Sequence, residues 1–194
     1  MKHFETELPE GYEPVCEIDA KNRKTVVLMN LAGLLIFLLV LLPFVLVIGF
    51  RELFLIGRGK LLLFYAVFFG GLILYVILHE LVHGAAYKLL TRRKLTFGIS
   101  LSVAYCGVPD IFVYRKTSLI ATLAPFVVFT AVFLPLALFV RTPFLRIAFI
   151  LLLCSHVCGC IGDLYGAYLM LFRLRDPKLL VRDTGPKQTY YLPL

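Results

Sequence analysis

Charged residues are scarce in this chain. Asp, Glu, Lys and Arg make up 16% of its 194 residues, while hydrophobic residues make up 60%; soluble domains carry about 25% charge and about 45–50% apolar residues. A soluble core of this size cannot hide that much apolar surface, which excludes an ordinary soluble domain and points to the bilayer as solvent. Acidic residues are fewer still, 12 against 20 basic ones, for a net charge of +8. The excess is no nucleic-acid patch, because Lys and Arg sit at the ends of apolar runs, where they act as topology signals. The cysteines, Cys16, Cys106, Cys154, Cys158 and Cys160, are odd in number. Three share one apolar run, which excludes a disulfide framework and leaves a reduced, buried or cytoplasm-facing set as the expectation. No small-residue cleavage pattern follows the first apolar run, so it is expected to stay as a membrane helix rather than leave as a signal peptide. Internal repeats and low-complexity stretches are also lacking, so a single domain over residues 1–194 is expected.

What is present is a set of four long apolar segments, at about residues 26–50, 61–90, 119–140 and 144–172. Each reaches the roughly 20 residues that a helix needs to cross a hydrocarbon core about 30 Å thick. With the N-terminus inside, 15 of the 20 basic residues fall on the cytoplasmic side. The positive-inside rule then places both termini in the cytoplasm of a multi-pass cell-membrane protein. A polar leader at 1–25 and a polar tail at 173–194 flank a membrane core at 26–172.

Between the second and third apolar segments the pattern changes. Leu95, Phe97, Ile99, Leu101, Val103 and Tyr105 alternate with Thr96, Gly98, Ser100, Ser102, Ala104 and Cys106. Strict alternation predicts a strand, Gly107-Val108-Pro109-Asp110 a turn, and residues 111–114 a returning strand. The fold class expected is therefore all-α, about four transmembrane helices with one membrane-associated β-hairpin. Its backbone is tolerated at that depth only where protein or a water-filled cavity satisfies it.

The second apolar segment carries His79-Glu80-Leu81-Val82-His83. In a helix, His79 and His83 lie on one face, four residues apart, and two imidazoles at that spacing can hold one metal ion. Glu80 sits beside the first ligand, where a carboxylate serves as general base toward a water that zinc acidifies to a pKa of about 7. The residues before the motif are apolar, and placing a Glu and two His in hydrocarbon costs several kcal/mol, so such groups face a bundle interior and act in function.

A catalytic zinc needs a third protein ligand. Asp163 is the only acidic residue within the fourth segment, at a depth that matches the motif to within about one helical turn. It is the expected third ligand, with His156 as the alternative; Cys160 lies on the same helical face, and Asp110 reads as a turn residue. One zinc ion per chain is the implied cofactor.

At this point the chain resembles the zincin peptidase family, bacterial membrane proteins related to the site-2 proteases. The matching features are His79-Glu80-Leu81-Val82-His83-Gly84, the Ala124-Pro125 pair and Gly162-Asp163-Leu164-Tyr165. The resemblance implies a zinc site of His79, His83 and Asp163 with Glu80 as catalytic base. It gives the hairpin a role as well. A membrane-spanning substrate must unwind to be cut, and an exposed strand edge at Ser100, Ser102 and Ala104 would pair with the unwound segment. The expected partners are a membrane protein or peptide substrate and the lipid bilayer, and no nucleic acid. Three functions compete: an intramembrane zinc metalloprotease, a metal-dependent amidase on a small or lipid-like substrate, and a non-enzymatic metal-binding protein or inactive homologue. Glu80 argues against the last, since a binding site needs no general base.

Overall fold

The computed structural model describes residues 2–48, 57–99 and 104–194. Five α-helices and seven strands occur among them: β1 (Phe4–Glu5), β2 (Tyr12–Asp19), α1 (Arg23–Ile48), α2 (Arg58–Thr91), β3 (Thr96–Ile99), β4 (Ala104–Gly107), β5 (Phe112–Tyr114), α3 (Arg115–Phe139), α4 (Pro143–Gly159), α5 (Ile161–Tyr168), β6 (Leu180–Asp183) and β7 (Lys187–Pro193). A π-helical turn, Leu169–Arg173, follows α5 and closes with Leu174 N–H on the Leu169 carbonyl at 2.7 Å. The chain divides into two compact units.

The first unit comprises Met1–Leu28, Leu78–Pro125 and Gly162–Leu194. It holds an antiparallel sheet in the order β1-β5-β6-β7-β2 and a separate two-stranded sheet, β3-β4. The all-α expectation is therefore wrong. The leader and tail, which read as polar flanks, pair with each other along their length, Tyr12 opposite Pro193 and Asp19 opposite Lys187. One row of the sheet runs Phe4, Val113, Val181, Tyr190, Cys16. Its central three members are fully buried, and Val181 and Tyr190 pack on Leu169, Met170 and Leu179. Further along the row Val113 joins Tyr87, Val108, Ile111 and Ala121, so the sheet is fastened to the end of α2 and the start of α3. The long edge strand β2 is blunted by Pro14 and by a bulge between Pro14 and Cys16, two devices that stop a sheet edge from recruiting another chain.

The hairpin between α2 and α3 also differs from its expected form. Residues 95–106 do not make one strand returning through a turn at 107–110. Two short arms, Thr96–Ile99 and Ala104–Gly107, pair with each other, Thr96 opposite Gly107 and Ile99 opposite Ala104. Segment 112–114 joins the large sheet between β1 and β6 instead. Gly98 stands opposite Tyr105, and a Cβ there would fall inside the Tyr105 ring. Small residues alternate with large ones because the large ring lies across the small partner.

The second unit comprises Met29–Ile77 and Phe126–Ile161. Phe64, Phe144, Ile147 and Ala148 form its buried cluster, and Gly71 lets Leu152 approach to 3.0 Å of where a Cβ would stand. Pro143 opens α4 at a position where a missing N–H costs nothing. Large apolar side chains stay bare, with Leu62 81% and Val47 85% exposed, far more than a water-facing surface carries.

Among the described residues, three helices are long and apolar enough to cross a membrane, Arg23–Val47, Arg58–Thr91 and Arg115–Phe139. The fourth expected segment is interrupted at Cys160, and α4 with the helix after it makes a fourth span only if the pair counts as one. Helix α2 ends where Arg92 takes the left-handed conformation at φ 56°, a common way to stop a helix, and Lys88 Nζ donates to the Arg93 carbonyl at 3.1 Å.

Candidate metal centre

The site is built on the last turns of α2. His79, His83 and Tyr87 recur every four residues, so they share one face, and all three are buried. Glu80, one step round the helix, is half-buried. The helix break at Cys160 matters here. A new helix starts at Ile161 and holds Asp163 in its first turn, the end of a helix that favours a negative charge.

These residues converge. His79 Nε2 lies 3.2 Å from Asp163 Oδ2, His83 Nε2 lies 3.2 Å from His79 Nε2, and His83 Nε2 lies 3.4 Å from Asp163 Oδ2. The two imidazole planes cross at 78°. Three donor atoms thus form a nearly equilateral triangle. Ligands on a tetrahedral zinc at about 2.0–2.1 Å stand roughly 3.3–3.4 Å apart, by the geometry of the tetrahedron. The observed triangle has that size, and two nitrogens and one carboxylate oxygen are the donor chemistry zinc takes. The residues present fit the ion.

The outer contacts fit it too. His83 Nδ1–H donates to the buried Ala121 carbonyl on α3 at 2.8 Å. That bond holds the proton on Nδ1 and leaves the Nε2 lone pair facing the triangle, the usual way a protein orients a ligating histidine. Gly84 follows directly. A Cβ there would come within 2.7 Å of the Phe97 ring and 3.1 Å of Leu95, so a glycine lets the start of the β3-β4 hairpin pass close over the ligand helix.

The other sequence-predicted residues are placed as follows. His156 is fully buried in the second unit, with Nδ1 3.1 Å from the Tyr75 hydroxyl and Nε2 3.1 Å from Thr130 Oγ1 and 3.3 Å from the Phe126 carbonyl. Cys160 Sγ lies 3.6 Å from His156 Nδ1. Asp110 is exposed in a turn. Of the suggested edge residues, Ala104 stands in β4 opposite Ile99, while Ser100 and Ser102 lie outside the described residues.

Sequence reasoning missed a second polar cluster beside the triangle. The Tyr87 hydroxyl donates to Asp183 Oδ2 at 2.8 Å. Gln188 Nε2 donates to the same oxygen at 3.2 Å, Gly185 N–H donates to Oδ1 at 2.9 Å, and the Tyr190 hydroxyl donates to Gln188 Oε1 at 3.0 Å. Burial pushes the Asp183 carboxyl up to about 6 despite these donors, which pull the other way. Burial likewise pushes the Cys106 thiol up to about 12, reinforced by the negative charges of Asp183 and Glu80. Tyr87 carried one legible signal, its place one turn past His83 on the ligand face. Asp183 carried none, since it lies in a tail far along the chain.

A family described as putative zincin peptidase matches residues 72–176, more than half of the chain, and this stretch contains His79, Glu80, His83 and Asp163. No curated protein and no solved structure matches it.

Proposed function

Because this chain belongs to the putative zincin peptidase family, we propose that it is an intramembrane zinc metalloprotease of the site-2 type that cuts membrane-anchored proteins or peptides. Family membership by itself supports a metallopeptidase and implies zinc. The observation that carries the finer reading is the triangle of His79, His83 and Asp163 donors, the two histidines standing on a helix long and apolar enough to cross a membrane.

In this reading His79, His83 and Asp163 would hold the ion. Zinc, when bound, supplies a Lewis acid and a water acidified to near neutrality. The Ala121 carbonyl keeps His83 in the tautomer that presents Nε2. Glu80 is the general base: its carboxylate takes a proton from the attacking water and returns it to the departing amine nitrogen. The charge asymmetry, 15 of 20 basic residues on one side, supports a cell-membrane protein with both termini cytoplasmic and the motif in the cytoplasmic half of α2. The bilayer and a membrane peptide are then the natural partners. An open strand of the β3-β4 hairpin, held over the ligand helix at Gly84, is the proposed edge for an unwound substrate.

Glu80→Gln tests the reading. Purified variant should keep about one zinc per chain and lose turnover by roughly 10²–10⁴-fold. Membrane peptides compared between wild-type and variant cells should show uncut precursors accumulating in the variant. Retained turnover removes Glu80 as base, and unchanged membrane peptides remove the membrane substrate.

A further inference from the structure

Tyr87 stands four residues beyond His83, roughly 6 Å further along α2. It is 1% exposed and its ring joins the cluster of Val108, Ile111, Val113 and Ala121. Its hydroxyl reaches past that apolar cluster to Asp183, which is itself 3% exposed. A buried carboxylate is a poor way to gain stability, since apolar residues of the same volume do as well or better. What such a group provides is one defined geometry, because each oxygen must meet its donors. Asp183 meets three side-chain and backbone donors on its carboxylate, and its backbone carbonyl accepts Val108 N–H at 2.8 Å. One residue at the end of β6 therefore binds both the ligand helix and the segment leaving the β3-β4 hairpin.

The position along the helix gives this a consequence. Metal sites demand ligand placement within about 0.5 Å and 10–20°. A turn of α2 by about 10° about its axis carries an imidazole nitrogen, roughly 6 Å from that axis, through about 1 Å. The Ala121 carbonyl orients the His83 ring. The Tyr87–Asp183 hydrogen bond is a second anchor of α2, one turn away on the same face.

We propose that Tyr87 and Asp183 are positioning residues for the metal site: the Tyr87–Asp183 hydrogen bond sets the rotation of α2 and so aims His83 at His79 and Asp163. The inference rests on reading those three residues as the metal site. It assigns a part in that site to the C-terminal strands, which lie beyond the family match at 72–176.

Co²⁺ titration of the full chain in detergent micelles tests it, with affinity and coordination read from the visible absorption band. The proteins are wild type, Tyr87→Phe, Asp183→Asn and the double variant, each checked for folding by circular dichroism. Each single change should weaken Co²⁺ binding about tenfold and alter the band. The double variant should lose the same tenfold rather than a hundredfold, because the two residues act through one bond. Folded single variants that bind as wild type does would overturn the proposal, and so would a multiplicative loss in the double variant. If Asp183→Asn does not fold, Tyr87→Phe, which keeps the ring, decides alone. Wild-type protein that binds no Co²⁺ would overturn the metal site and this inference together; wild-type binding with unaltered variants would overturn only the inference.

Discussion

Asp183 makes stability depend on pH in a direction opposite to that of most carboxylates. Its carboxyl is raised from the ordinary 3.8 to about 6 by burial. The unfolded chain therefore binds fewer protons at this position than the folded one between those values, and stability falls as pH rises through the window. It is fully present below about pH 4 and lost above about pH 6. The shift of roughly two units, at about 1.4 kcal/mol each, amounts to about 3 kcal/mol. The groups that face Asp183 are the Tyr87, Tyr190 and Gln188 side chains, with His83 and the Cys106 thiol near enough to contribute charge effects. All of these groups are common to both proteins in the comparison. The assay is thermal unfolding of wild type and Asp183→Asn in detergent from pH 4 to pH 7.5. Circular dichroism is the suitable probe, since the chain contains no tryptophan. Asparagine mispairs with Gly185 N–H or with Gln188 at every pH, so it imposes a constant cost. The difference between the two proteins should therefore narrow by about 3 kcal/mol on going from pH 4 to pH 7.5. A difference that stays constant across the range would refute the buried-carboxylate argument.

Three further outcomes are expected. Asp163→Ala should lower zinc affinity more than His156→Ala, measured by competition with a chromophoric chelator; the reverse order would transfer the ligand role. Gly107→Ala should destabilise by about 1–3 kcal/mol, because its Cβ would fall on the Gly185 nitrogen and 2.7 Å from the Thr184 carbonyl carbon. Gly70→Ala meets open space within a helix and should be neutral or stabilising by up to about 1 kcal/mol, so equal melting shifts for the two would show that packing is not what distinguishes them. Proline placed in turn at Thr96, Phe97, Gly98 and Ile99 should abolish cleavage at alternate positions if β3 supplies the substrate edge, and unchanged activity at all four sinks that role.

The convergence of His79, His83 and Asp163 was legible because its elements carry strong local signals. His79 and His83 are placed on one face by helical periodicity alone, and Asp163 stood out as a lone carboxylate in an apolar segment at matching depth. The fourth segment's break at Cys160 was not legible. Composition is continuous across it, and an apolar run tells length without telling where a helix restarts. The hairpin was half legible: period-two alternation over residues 95–106 identifies strand, but it is blind to where the strand folds back. That was decided by pairing Gly98 with Tyr105 and Thr96 with Gly107.

What the sequence by itself determined is the long apolar helices and the shared helical face of His79 and His83, since each follows from hydropathy or from spacing along one helix. Only the tertiary structure decided that leader and tail form one sheet, with Tyr12 opposite Pro193, and that this sheet delivers Asp183 to Tyr87. Strands such as Tyr12–Asp19, with Glu13, Pro14 and Glu17 in them, half-bury residues such as Cys16 and Ile18 only after a partner arrives from the far end of the chain. Their pairing is a long-range event that no local period encodes. The same holds for Asp183, a polar tail residue until the fold buries it one helical turn from His83.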